Sequence, residues 1–172
     1  LTRVLADLRG MRDRAASAPS VEELRGFEGA GSARYFHGVA LALARDDLRF
    51  EGRNHRPPRD PVNAALSFAY TLLLDHVIGA CWKAGLDPYI GVLHHAGRGA
   101  PELALDLIEE WRPLVDRLVF GLFNRRQIAL SDFRRPDPSE VAGEPADQAC
   151  YLTRLGARIV AMELHATLAS TL

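Results

Sequence analysis

Residues 60–85 read DPVNAALSFAYTLLLDHVIGACWKAG, and this stretch decides the fold. Asp60 followed by Pro61 is a helix start. The aspartate side chain accepts an unpaired backbone N–H of the first turn, and proline at the first helical position gives up an N–H that has no helical partner there. Apolar residues then run from Val62 to Trp82 with few charges among them, until Gly85 stops the helix. A helix apolar on most of its faces is expected to lie at the centre of the molecule.

Towards the C-terminus, residues 85–99 read as loop. Pro101 opens an amphipathic helix through Leu118 or beyond, with Leu103, Leu107, Trp111, Leu114 and Leu118 on one stripe and Pro113 predicted to bend it. Pro136, Pro138 and Pro145 mark a connection over about 134–146, and a last helix is expected over about 147–170. Towards the N-terminus, residues 45–59 (RDDLRFEGRNHRPPR) lose periodicity and read as an ordered loop. Ser20 with Glu23 forms a capping box for a helix that carries Glu28, and Leu1, Val4, Leu5, Leu8 and Met11 share one face of a first helix. No segment alternates as a strand. The expected fold is all-α, a single multi-helix domain over residues 1–172.

A chain of 172 residues with 48% hydrophobic composition has enough material for one sizeable core. Its net charge of −1 excludes an overall basic field, so any contact with nucleic acid must come from a local patch. Of 21 basic residues only Lys83 is a lysine. Arginine favours phosphate, because its planar guanidinium donates two parallel hydrogen bonds that an ammonium cannot copy. Cys81 and Cys150 lie far apart in apolar surroundings, which suits separate structural thiols better than a disulfide or zinc framework. With no signal-peptide layout and no apolar run of membrane-spanning length, the expectation is a soluble cytoplasmic protein without a membrane partner. The chain starts at Leu1, directly in a helical pattern, and is read as a fragment.

Several residues have the chemistry of a site. Asp106 and Glu109, three residues apart, and Glu110, four from Asp106, project carboxylates from one side of a helix. A divalent cation relieves their repulsion, and so does solvent on an ordinary exposed face. His94 and His95 end the loop before that helix and offer imidazole donors. Glu28 sits among Gly26, Gly29 and Gly31, whose cost to a helix is explained by the close approach of a ligand or of another helix. Tyr35 follows Glu28 by seven residues, and Asn63 and Tyr70 repeat that spacing; alone, these read as core hydrogen-bonding residues. Arg53, His55, Arg56 and Arg59 form the only local basic concentration, suited to phosphate or to a solvated loop paired with acids.

Four segments, in order and spacing, resemble the CRISPR-associated protein-one (Cas-one) integrase family: FEGAGSARYF from Phe27, RPPRDPVNAALSFAYTLL from Arg56, GLDPYIGVLHH from Gly85 and LALDLIEEWRPLVDRLVF from Leu103. They lie in a core of about 20–120. The resemblance is to the family's C-terminal helical catalytic domain, and the family's N-terminal β-domain has no counterpart in this chain. It implies a metal-dependent DNA endonuclease and integrase that inserts spacer DNA into CRISPR arrays, in antiviral defence. Glu28, His94 and Glu109 would be the metal ligands, Asp106 a further catalytic acid, and Tyr35, Asn63 and Tyr70 supporting polar residues. Mn2+ or Mg2+ would be the cofactor, and Arg53, Arg56, Arg59 and Arg98 would hold the DNA backbone. The implied partners are branched or spacer-end DNA, a second copy in a homodimer, and the small companion protein of the acquisition complex. Two rival readings remain: a helical metalloenzyme acting on a small molecule, which has no need of the arginines, and a non-catalytic DNA- or partner-binding scaffold, in which the acids only solvate helices.

Overall fold

The computed structural model describes every residue except 44, 55–56, 94–98, 141–148 and 172. Its elements are α1 (Thr2–Ala15), α2 (Val21–Ala42), α3 (Pro61–Lys83), α4 (Glu102–Asn124), two short strands, β1 (Phe133–Arg134) and β2 (Tyr151–Leu152), and α5 (Arg154–Thr171). The fold is all-α apart from this two-stranded antiparallel sheet, in which Phe133 pairs with Leu152 and Arg134 with Tyr151. The chain divides into two compact units, Leu1–Asn54 and His55–Leu172. The boundary falls inside the aperiodic arginine-rich stretch.

In the first unit α1 packs on α2. The Ser20 side chain accepts the Glu23 N–H at 3.2 Å and starts α2 as expected. Asp7 and Arg34 join the two helices by an ion pair at 2.6 Å. Of the five apolar residues expected on the inner face of α1, only Val4 is buried, and Leu1 and Leu5 are more than half exposed. The core of this unit is completed by Phe36, edge-on to Tyr35 at 5.1 Å and to Phe50 at 6.3 Å. Aromatic pairing here contributes what the α1 leucines do not.

In the second unit α3 packs against α4 and α5. Asp60 caps α3, its Oδ1 accepting the Asn63 N–H at 2.9 Å. Burial of α3 is concentrated in its N-terminal half, at Val62, Ala64, Ala65, Leu66, Ala69 and Leu73, whereas Trp82 near its end is 58% exposed. By length and composition alone α3 could cross a membrane, and it packs against α4 and α5.

Two expectations need correcting in this unit. The buried apolar residues of α4 are Ala104, Ile108, Val115, Leu118, Val119, Leu122 and Phe123; of the predicted stripe Leu118 is buried as expected, whereas Leu107 and Trp111 line an open apolar cavity of about 460 Å3 with Leu73, Val77 and Leu168. The helix carries two adjoining apolar stripes, and periodicity alone does not rank them. The last helix starts at Arg154 rather than near residue 147, because Tyr151 and Leu152 are drawn into the sheet and Thr153 caps the helix, its Oγ1 accepting the Gly156 N–H at 3.1 Å. Gly156 is required there: a Cβ would lie 2.4 Å from the Asp132 carbonyl oxygen. Cys81 and Cys150 are both free thiols, as expected.

Candidate metal centre and phosphate-binding residues

The loop after α3 is fastened to the first turns of α4. The Pro88 carbonyl accepts the Leu103 N–H at 3.0 Å and the Ala104 N–H at 3.3 Å. Gly91 passes so close to Glu102 that a Cβ would come within 2.6 Å of its backbone carbon. Asp106 Oδ2 then accepts two loop amides, the Val92 N–H at 2.7 Å and the Leu93 N–H at 3.0 Å. A carboxylate that receives two N–H groups makes charge-assisted hydrogen bonds, about twice as strong as neutral ones. Asp106 therefore pins the residue preceding His94 to the helix that carries Glu109. His94, His95 and Arg98 themselves lie outside the described residues.

Glu109 is half-buried one turn beyond Asp106, with Oε1 3.1 Å from Arg112 Nη1. The Arg112 guanidinium lies 5.3 Å from the centre of the Tyr70 ring, within cation–π range. The Tyr70 hydroxyl donates to Asp116, which is 3% exposed. Glu109, Arg112, Tyr70 and Asp116 thus form a connected chain of polar contacts between α3 and α4. Glu110 is exposed and outside this chain. Asn63 is fully buried and its Nδ2 donates to Asp60 Oδ2 at 2.6 Å, so its place is at the cap of α3.

Glu28 and Tyr35 stand on α2 in the first unit. Glu28 is exposed and borders a cavity of about 320 Å3 lined also by Leu8, Met11, Leu24 and Phe27. A Cβ added at Gly26, Gly29 or Gly31 would meet nothing within 4 Å. Among the described residues no helix crossing requires these glycines.

The arginine-rich stretch is partly engaged in contacts of its own. Arg45 is clasped by Asp47 at 2.5 Å, a hydrogen bond that raises its already high pKa, and Arg49 pairs with Glu51 at 2.7 Å. Arg53 donates to the Asn54 carbonyl. Arg59 is exposed and borders a cavity of about 540 Å3. His55 and Arg56 lie outside the described residues.

Among the described residues no three His, Cys, Asp or Glu side chains form a group able to hold a metal ion. The donor chemistry still suits a hard divalent cation: Glu109 is a half-buried carboxylate already facing a cation, and the loop fastened by Asp106 leads straight into His94. Sequence reading missed Arg112, Asp116 and the loop amides. The i,i+3 spacing of Glu109 and Arg112 was a signal for the first; nothing in the sequence marks Asp116 as buried.

A family described as "CRISPR associated protein Cas1" matches residues 1–165. The CRISPR-associated endonuclease Cas1 of Leptospira interrogans serogroup Icterohaemorrhagiae serovar Lai (strain 56601) is 50% identical over 118 residues, covering 67% of this chain and 46% of the relative. Among solved structures, a casposase bound to integration product superposes with a TM-score of 0.76 at 26% identity, over 88% of this chain and 43% of that chain. A chain of a Cas6-RT-Cas1–Cas2 complex superposes with a TM-score of 0.84 at 28% identity, over 95% of this chain and 17% of that chain. The chain spans less than half the length of each of these proteins.

Proposed function

The chain belongs to the Cas1 family of CRISPR-associated proteins, and from that premise we propose that it is the catalytic helical part of a metal-dependent DNA endonuclease and integrase that inserts spacer DNA into CRISPR arrays. The observation that carries this reading is the Asp106 clamp, which ties the segment leading into His94 to the turn that bears Glu109. Relatives named as endonucleases and a neighbour bound to an integration product support the reaction class. The Cas1–Cas2 neighbour supports a small companion protein as partner. A homodimer and a cytoplasmic location complete the proposal.

Glu28, His94 and Glu109 would hold one divalent cation, Mn2+ or Mg2+, two carboxylates and an imidazole being suited to either. When bound, the cation polarises the scissile phosphate and offsets the charge that builds up on it. The attacking oxygen, from water in cleavage or from a DNA 3′-hydroxyl in joining, forms the new P–O bond as the bond to the departing 3′-oxygen breaks; one proton leaves the nucleophile and one reaches the departing oxygen. Asp106 ties Leu93, the residue before His94, to the helix of Glu109, and Arg112, lying over the Tyr70 ring, pairs with the Glu109 carboxylate. Arg53, Arg56, Arg59 and Arg98 hold the DNA backbone by charge, without reading sequence.

The test is cleavage and strand transfer on a branched DNA with Mn2+, comparing the chain with Glu28→Ala, His94→Ala and Glu109→Ala. Activity lost in all three folded variants is the expected result. Activity that survives Glu109→Ala excludes this site, and activity on DNA that survives charge reversal at Arg56 and Arg59 excludes the backbone-binding role of that stretch.

A further inference from the structure

The cavity of about 540 Å3 beside α3 brings together arginines that the sequence places 75 residues apart, Arg59 from the arginine-rich stretch and Arg134 and Arg135 from β1 and its exit. Two contacts build it. The Cys150 N–H donates to the Pro58 carbonyl at 2.7 Å, and β1 pairs with β2, so the segment carrying Arg134 and Arg135 is held against the residues that lead into α3. Phe133 and Pro61 give the cavity an apolar wall, and Phe133 is fixed by stacking on Phe123 at 5.9 Å. Its volume lies in the range of about 300–1,000 Å3 typical of small-ligand pockets.

The charges in it are unequal. Glu140 accepts two hydrogen bonds from Arg134, at 2.7 and 2.8 Å, and neutralises it. Asp60, next to Arg59, caps α3 through Asn63 and also acts on Cys150 in the cavity lining. Arg135 is exposed and makes no ion pair among the described residues. Among the described residues three arginines stand beside two acids, Glu140 and Asp60, and a guanidinium is held in reserve behind Glu140. Planar guanidinium groups converging on an open cavity with an apolar wall suit a phosphate with its sugar or base alongside.

We propose that Arg59 and Arg135, with Arg134 beside them, seat a backbone phosphate of the bound DNA, which adds a contact from the C-terminal part of the chain to those of the arginine-rich stretch. This rests on the DNA-binding reading above. The test is the affinity for a branched DNA by fluorescence anisotropy, in EDTA so that nothing turns over, across a salt series. Arg59→Gln and Arg135→Gln should each weaken binding severalfold and lower the slope of log affinity against log salt by about 0.9 for each phosphate that is no longer neutralised. Arg158→Gln, an exposed arginine of α5, should change binding less. Glu140→Gln, which releases Arg134, should tighten it. The proposal is overturned if Arg135→Gln weakens binding no more than Arg158→Gln does, or if Glu140→Gln leaves it unchanged. A chain with no measurable DNA affinity would instead remove the DNA-binding reading itself, and this seat with it. The substituted arginines are exposed, so far-ultraviolet circular dichroism should be the same for all variants.

Discussion

Asp106 Oδ2 receives the backbone N–H groups of both Val92 and Leu93, at 2.7 and 3.0 Å. An acid placed among the catalytic residues by resemblance is thus the clasp of the loop that ends in His94. Asp106→Asn keeps one acceptor oxygen and Asp106→Ala keeps none. The alanine variant should lose about 1–3 kcal/mol of stability in urea unfolding, the asparagine variant less. Amide hydrogen exchange at Val92 and Leu93 should accelerate in both, and Leu103 and Ala104, held by the Pro88 carbonyl, should be little affected.

The Tyr70 hydroxyl and Asp116 join α3 to α4 in a buried contact. Tyr70→Phe should cost about 1–3 kcal/mol, because it leaves a buried carboxylate short of a donor. Combining it with Asp116→Ala should cost less than the sum of the two single changes, the mark of a direct interaction. Equilibrium urea unfolding of the four proteins measures this. Additivity would mean that the two side chains are not energetically coupled.

Much of the fold is legible from the residues. Asp60 with Pro61 locates the start of α3, Ser20 with Glu23 the start of α2, and Pro101 the start of α4, because caps are local chemistry. The start of α5 escapes such a reading because the pairing of Tyr151 and Leu152 with β1 is a non-local event across a proline-containing connection, and two-residue strands leave no alternation to detect. Of the expected stripe of α4 Leu118 is buried but Leu107 is exposed and Trp111 only partly covered, since Leu107 and Trp111 are as apolar as Ile108 and Val115 and only packing decides between them. Asp106, Glu109 and Glu28 stand out in the sequence as acids in suggestive positions. Their separate tasks do not, because a hydrogen bond between a helix carboxylate and loop amides 13 and 14 residues away exists only in the folded chain.

Gly29 lies next to Glu28 on α2 with open space where a Cβ would be. Alanine is favoured over glycine in a helix interior by about 0.5–1 kcal/mol, so Gly29→Ala should stabilise the chain by that amount in thermal or urea unfolding. If Gly29 is kept for the approach of a ligand, the same variant should lose strand-transfer activity. A more stable variant with undiminished activity would assign Gly29 no functional role.

Arg134 holds the exposed Glu140 carboxyl at about 2, well below its ordinary 4.5, through hydrogen bonds helped by the Asp137 N–H. A depressed carboxylate pKa means that the contribution of the pair is fully present above about 4.5 and is lost as pH falls towards about 2. An NMR titration of Glu140 should find it still ionised at pH 3, and Arg134→Gln should return its midpoint towards the ordinary range. Cys150 behaves oppositely: burial, then the nearby Asp60, push its thiol up to about 11. Its alkylation by iodoacetamide should be slow at pH 8 and rise with a midpoint near 11.

The most direct test of the central claim, that Glu28, His94 and Glu109 act together on one cation, is Mn2+ binding followed by the electron paramagnetic resonance signal of the free ion. The account predicts one site per chain, weakened at least about tenfold, or about 1.4 kcal/mol, by each of Glu28→Ala, His94→Ala and Glu109→Ala, with Glu110→Ala unchanged. Wild-type affinity in any of the three variants would contradict it, as would an equal loss in Glu110→Ala.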